Sequence, residues 1–309
     1  MSILLFDLGN DPALPTGLCS GAGFNQGELS RRHFPDGETY LRFLTSPGGR
    51  NIALFCSLDD PDAQTLPLLL AADSARAHGA RSVGLIAPYL AYMRQDKEFH
   101  PGEAVTSVSY AKLLSNAFDW LVTVDPHLHR NPTLSTIYSI PAVAASSAQP
   151  IADWLKANVP GAILVGPDEE SRQWVERIGE LAGLPATVFR KERKGDTSVA
   201  IAAPDLDQWK GATPVIIDDI ASSARTLIEA VKIMRAAGYA APWCVVVHAL
   251  FAGDAFDALG AAGPAGVVST NSVDHPSNGI DLTPVIREAV RTLVRADAAR
   301  AGSQPVEGE

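Results

Sequence analysis

Short apolar runs alternate with stretches of helical periodicity along the whole chain. Strands are expected at Ile3–Phe6, Tyr40–Leu44, Ile52–Cys56, Ser82–Ile86 and Leu121–Val124, and again at Ala162–Val165, Ala186–Phe189, Val199–Ala202, Val215–Ile217 and Trp243–Val247. Between them, Leu66–His78 is rich in Leu and Ala and stops at Gly79, while Leu227, Val231, Met234 and Ala237 share one face of a helix that ends at Gly238. Such βαβ runs predict mostly parallel sheets covered on both faces. The two halves share a plan, each with an acid-bearing turn after a late strand. A boundary near Ala145–Pro150, where Ala, Ser and Pro cluster, gives domains over 1–147 and 148–300. Helix Thr283–Arg295 follows the second domain and is free to pack back on the first. The small, polar, acidic tail 301–309 is expected to be disordered.

One element couples this pattern to chemistry. The apolar strand Val215-Ile216-Ile217 runs into Asp218-Asp219, then a turn containing Ser222 and Ser223, then a helix starting near Thr226. Open α/β sheets bind ligands at the carboxyl ends of their strands, where these acids fall. The amino end of the following helix favours a phosphate through its free N–H groups and dipole. Acids for hydroxyls beside a turn for phosphate suit a phosphorylated sugar.

Composition changes this picture in two respects. With 309 residues, 46% hydrophobic and 19% charged, the chain is long enough for two ordinary globular domains. Its net charge of −10 argues against general nucleic-acid or anionic-membrane binding, so an anionic ligand must meet a local basic site. Cys19, Cys56 and Cys244 have no metal-type spacing and are expected to be reduced core thiols of a cytoplasmic protein. The opening Met1–Asp7 is too short for a signal peptide, and no apolar run is long enough for a membrane span.

Neither a P-loop nor a dinucleotide fingerprint is present; Gly21-Ala22-Gly23 with Gly27 has the wrong spacing. Four other segments bear chemistry, each with a plain alternative. His33-Phe34-Pro35-Asp36-Gly37-Glu38 also fits an ordinary turn with solvated acids. Pro88 to Glu98, with Arg94 and Gln95, lies at the ligand edge after a strand or is a solvated loop. Asp125-Pro126-His127-Leu128-His129 offers metal ligands or merely polar residues. Asp168 ends a strand, and the basic run Arg190–Lys194 is a solvated hairpin or a lid that brings cations to polyphosphate.

The joint order of these segments resembles the ribose-phosphate pyrophosphokinases: Phe34-Pro-Asp36-Gly-Glu38, Arg94-Gln95-Asp96, Asp125-Pro-His127, Pro167-Asp168, Lys191-Glu-Arg193 and Asp218-Asp219 through Thr226, with His248-Ala-Leu-Phe251 and Thr270-Asn271 on the flank. The resemblance implies two tandem phosphoribosyltransferase-type (type I) α/β domains. It also implies Mg²⁺-dependent transfer of the ATP diphosphate to ribose 5-phosphate. Phe34, Asp36, Glu38, Arg94 and Gln95 would then bind ATP, the hairpin trio across a subunit interface of a homo-oligomer. His127 and Asp168 would serve the metal. Lys191 and Arg193 would meet the transferred phosphates as catalytic cations. Asp218 and Asp219 would hold the ribose, and Ser222, Ser223, Ala224, Arg225 and Thr226 its 5-phosphate.

The chain also departs from that family. Glu169-Glu170-Ser171 stands where a small residue and two glycines are usual, which brings acids towards a phosphate site. Pro126 replaces a usual Leu, the glutamines that commonly follow the histidine are absent, and Arg225 replaces a glycine. Two rivals follow. One is a silent regulatory homologue, favoured by the two glutamates and opposed by retention of Lys191 and Arg193. The other is a phosphoribosyltransferase that consumes PRPP, which has no use for Phe34–Glu38 or a duplicated domain.

Overall fold

The opening apolar run forms β1 (Ile3–Asp7), buried at its first four positions as a strand covered on both faces requires. Then follow α1 (Ala13–Cys19), β2 (Phe24–Gln26), the hairpin β3 (Leu29–His33) and β4 (Thr39–Phe43), β5 (Asn51–Phe55), α2 (Pro61–Ala77), β6 (Ser82–Ala87), α3 (Thr106–Ala117), β7 (Trp120–Val124) and β8 (Ala142–Ala145). The first sheet has the order β2-β1-β5-β6-β7-β8 with every neighbour parallel. In this computed structural model the chain divides into two units, 1–145 with 283–309, and 146–282. All residues are described except Met1, Asn10, Asp11, His129, Asn131, Pro132, 195–197, Ala203, Asp205, Lys210 and 303–309; for 190–202, Asp207 and 295–302 the description is of backbone alone.

The second unit repeats the plan. After α4 (Ala148–Asn158) come β9 (Ile163–Gly166), α5 (Arg172–Ala182), β10 (Ala186–Val188), the hairpin β11 (Arg190–Lys194) and β12 (Ser198–Ala202), β13 (Pro214–Ala221), α6 (Arg225–Ala236), β14 (Trp243–Ala249), α7 (Ala255–Ala261), β15 (Gly266–Thr270) and β16 (Asn278–Ile280). Its sheet has the order β10-β9-β13-β14-β15-β16, again parallel throughout. In both sheets the first strand lies between the second and the strand that follows the hairpin. The order therefore reverses between β1 and β5, and between β9 and β13, where doubly wound sheets open a ligand crevice.

Three expectations change. The basic run Arg190–Lys194 is a strand rather than a loop, paired antiparallel with Ser198–Ala202. Its unbroken charge hides strand periodicity, and the ladder comes from the partner. The strand expected to stop at Ile217 continues to Ala221, because β14 pairs on through Asp218↔Val246, Ile220↔His248 and Ala221↔Ala249. Both acids therefore lie within the strand. Last, α8 (Thr283–Gly302), inside the span assigned to the second domain, belongs to the first unit. There the Arg287 guanidinium donates to the carbonyls of Gly17 (2.9 Å) and Leu18 (3.3 Å), which close the C-terminal turn of α1. α8 runs past the expected end at Arg295 and takes in Ala301 and Gly302 of the tail expected to be disordered; from 303 on the tail lies outside the described residues. No helix among the described residues is long and apolar enough to cross a membrane.

Candidate active site

In the second unit, Asp218 and Asp219 on β13 meet Asp168, which follows the neighbouring strand β9 at the reversal point. The backbone N–H of Asp219 donates to the Asp218 carboxylate at 3.0 Å. Asp218 is only partly exposed, and its carboxyl is raised well above the ordinary carboxylate range. Loss of solvent is the main cause, then the charge of Asp219, with Asp168 adding to it. The Asp168 carboxylate accepts the N–H of Ser171 at 3.1 Å, and Ser171 Oγ donates back to the Asp168 carbonyl at 2.7 Å.

This geometry fits a divalent cation of one kind. Asp218, whose carboxyl is raised by loss of solvent and by the charges of Asp219 and Asp168, gains from a nearby positive charge. Yet no group of three His, Cys, Asp or Glu among the described residues is close enough to cage an ion. A site of one or two carboxylates completed by water and substrate phosphate is the mode Mg²⁺ prefers.

After β13 the chain turns through Ser222, Ser223 and Ala224 into α6. No side chain caps α6 among the described residues, an arrangement that suits an anion at its first N–H groups. The turn is braced from β14: the N–H groups of Phe251 and Ala252 donate to the carbonyls of Ala221 (2.8 Å) and Ser222 (2.9 Å). Ala224 is buried and left-handed, φ 53°. A Cβ there costs about 1–2 kcal/mol. Replacement by glycine is therefore expected to be neutral or stabilising by up to about 1 kcal/mol, whereas Ala224→Val is expected to cost about 2 kcal/mol or more in thermal unfolding. Loss of stability in the glycine variant would refute the strain. Arg225 is the first helical residue and is exposed, in a groove it shares with Glu229 and Lys232 along one stripe of α6. Thr226 is exposed beside it.

The added acids near Asp168 are partly neutralised. Arg172 binds Glu169 through two nitrogens, at 2.7 and 2.8 Å, and reaches Glu176 at 3.4 Å. The paired glutamates hold the Arg172 guanidinium above its ordinary range. A Cβ at Gly166 would lie 2.3 Å from Ser171 Oγ and would displace that side chain from its bond to Asp168.

In the first unit Phe34, Asp36 and Glu38 form the tip of the β3–β4 hairpin. The N–H of Gly37 donates to Phe34 at 2.9 Å, that of Phe34 to Glu38 at 2.8 Å, and Gly37 has φ 93°. Phe34 is 40% exposed, and the Arg32 guanidinium lies over both Phe34 (4.9 Å) and Tyr40 (4.3 Å). Arg94 and Gln95 lie after β6, and His127 after β7, again at carboxyl ends of strands. His129, the other candidate ligand in that loop, is outside the described residues. Lys191 and Arg193 occupy alternate positions of β11, opposite Ile201 and Val199; their side chains are outside the description.

Among the described residues the non-glycine positions with positive φ are Tyr92, Asp125, Ala224 and Phe251, after β6, β7, β13 and β14. All follow the carboxyl ends of their strands, where strained backbone tends to serve a ligand site. Sequence reasoning missed Tyr92 and Arg130. The one signal for Arg130 was a cation standing where polar amides are usual.

Two parallel-sheet units of one plan, each with an inserted hairpin, and an acidic strand end feeding an uncapped helix in the second, define a tandem phosphoribosyltransferase-type protein. Residues 3–117 match the model described as the N-terminal domain of ribose phosphate pyrophosphokinase, and residues 134–275 that of the phosphoribosyl transferase domain. The ribose-phosphate pyrophosphokinase of Methanopyrus kandleri is 31% identical over 262 residues, 84% of this chain and 89% of that protein. That of Pyrococcus furiosus is 29% identical over 86% of this chain and 97% of its own length. In fold, the chain is similar to phosphoribosylpyrophosphate synthetase from Mycobacterium smegmatis, with a TM-score of 0.82 and 22% identity over 96% of this chain and all of that one. The chain belongs to the ribose-phosphate pyrophosphokinase family.

Proposed function

We infer that the protein is a ribose-phosphate pyrophosphokinase: the C1 hydroxyl oxygen of ribose 5-phosphate attacks the β-phosphorus of ATP, the Pα–O–Pβ link breaks, and PRPP and AMP leave. The observation that carries this is the run from Asp218-Asp219 on β13 into the uncapped start of α6, which offers hydroxyl acceptors and an anion site in one continuous segment.

In the second unit Asp218 and Asp219 accept hydrogen bonds from ribose hydroxyls. The turn Ser222–Ala224 and the first turn of α6, with Arg225 and Thr226, hold the 5-phosphate. Lys191 and Arg193 on the hairpin bring positive charge to the phosphates in transfer, which needs positioning and charge neutralisation more than covalent help. In the first unit Phe34, Asp36, Glu38, Arg94 and Gln95 take the nucleotide. The exposed aromatic tip of that hairpin suits a contact with a second copy of the chain, as in a homo-oligomer. Mg²⁺, when bound, neutralises phosphate charge. Asp168 beside Asp218 and Asp219 fits it, and in the first unit the same chemistry is assigned to His127.

The test is phosphorus NMR of the protein with ATP, Mg²⁺ and ribose 5-phosphate. AMP and PRPP are expected to appear in equal amounts and only with all three present. Absence of both, with nucleotide still bound, would overturn the assignment.

A further inference from the structure

Asp96 follows directly on Arg94-Gln95, and its side chain is 3% exposed. Arg130, three residues beyond His127, reaches it: Nη1 lies 2.7 Å from Oδ1. The other carboxylate oxygen, Oδ2, is buried with no hydrogen-bond partner among the described residues. A carboxylate this enclosed is costly unless neutralised. Arg130 is its ion-pair partner, and the pair is a cross-link between two loops that are 34 residues apart in sequence.

The nucleotide loop is anchored elsewhere too. The Tyr92 hydroxyl donates to Asp62 at the start of α2, which holds Tyr92 in its left-handed conformation. At the start of α3, Thr106 Oγ1 donates to the Tyr92 carbonyl at 3.4 Å and the Ser107 N–H to that of Gln95 at 3.2 Å. These bonds fix the loop to its flanking helices. The Asp96–Arg130 pair joins it to the loop that carries His127, and the Arg130 guanidinium also lies 5.7 Å from the centroid of the Phe99 ring in the nucleotide loop.

We propose that Arg130 is a positioning residue: through Asp96 it locks the Arg94–Gln95 loop to the His127 loop, so that the nucleotide-facing and metal-facing side chains keep one fixed spacing. The proposal rests on the function inferred above for Arg94, Gln95 and His127. In this role Arg130 acts through Asp96. Only one of its nitrogens is on Asp96, so a lysine can supply the same single bond.

Arg130→Met and Asp96→Asn are each expected to raise the KM for MgATP about ten- to a hundredfold, the span of coupling between contacting groups. The KM for ribose 5-phosphate is expected to stay within about twofold, since that substrate meets the other unit. The double variant should be no worse than the poorer single one, and Arg130→Lys should recover most of the loss. Additive effects, or equal changes in both KM values, would overturn the coupling.

A second measurement does not depend on the reaction. Amide hydrogen exchange in Asp96→Asn should show lost protection at residues 125–130, and in Arg130→Met at residues 93–99. Exchange that changes only in the mutated loop would sink the cross-link whether or not the protein makes PRPP. If the wild-type protein turned over no ATP but exchange passed between the loops, the functional assignment would fail and the coupling would stand.

Discussion

Replacing Lys191 by alanine is expected to lower turnover by about 10² to 10⁴ while the KM for ribose 5-phosphate stays near the wild-type value. The reason lies in how the hairpin is built. Among the described residues β11 and β12 pair only with each other and form a separate two-stranded sheet. An isolated ribbon is held weakly, so it can close over phosphate and open again at little cost. Cations on such a ribbon act most strongly when charge develops in the transition state, which places the loss in turnover. Single-turnover measurement of AMP release at saturating substrates checks this; turnover unchanged from wild type would reduce β11–β12 to a structural hairpin.

Asp218→Asn is expected to make the protein more stable and less active. The Asp218 carboxyl is raised above its ordinary range by loss of solvent and by Asp219. A raised folded-state value means that folding takes up a proton. Stability from this group is therefore full below the ordinary carboxylate range and is lost as pH rises through the folded-state value. At pH 8, well above the ordinary carboxylate range, the group works against the fold, and removing it is expected to raise stability. At a pH below the ordinary carboxylate range both proteins carry a neutral group there, so the gain should vanish. Thermal unfolding at both pH values reads the difference, and a gain independent of pH would disprove the electrostatic cause. Mg²⁺ should raise the unfolding temperature of the wild-type protein more than that of the variant. Ribose 5-phosphate affinity should fall in the variant, since a strong acceptor for hydroxyl protons has gone.

The Asp218 effect follows from how the site is built. The second unit gathers three carboxylates at the reversal of strand order, and that arrangement costs stability in the unliganded protein. The strain at Ala224 belongs with it, since the left-handed residue sets the angle at which β13 enters α6. A glycine would accept that angle freely. This chain keeps a methyl group there and places Arg225 next to it, at the first position of the helix.

Much of the fold was legible along the chain. Buried parallel strands are continuous apolar runs, so Ile3–Phe6, Ile52–Cys56 and Val215–Ile217 announced themselves. The strands that escaped notice are short or poor in apolar residues; Leu29–His33 has one large apolar residue, and Gly266–Thr270, an interior strand, has only Val267 and Val268. Phe24–Gln26 and Asn278–Ile280 are edge strands of three residues, and Ala142–Ala145 is mostly alanine. Arg190–Lys194 is a strand only because Ser198–Ala202 lies beside it.

The sequence by itself determined which chemical groups stand at strand ends, because a strand, a turn and a helix are local, and the order of motifs identified the family. It could not say that Asp168 lies by Asp218, 50 positions later, or that Arg130 neutralises Asp96. It left open whether the helix from Thr283 returns to the first unit, as it does. Each of these depends on which strands become neighbours and on how deeply a charge is enclosed. Proton affinity, ion pairing and backbone strain arise from that enclosure, and only the tertiary structure sets it.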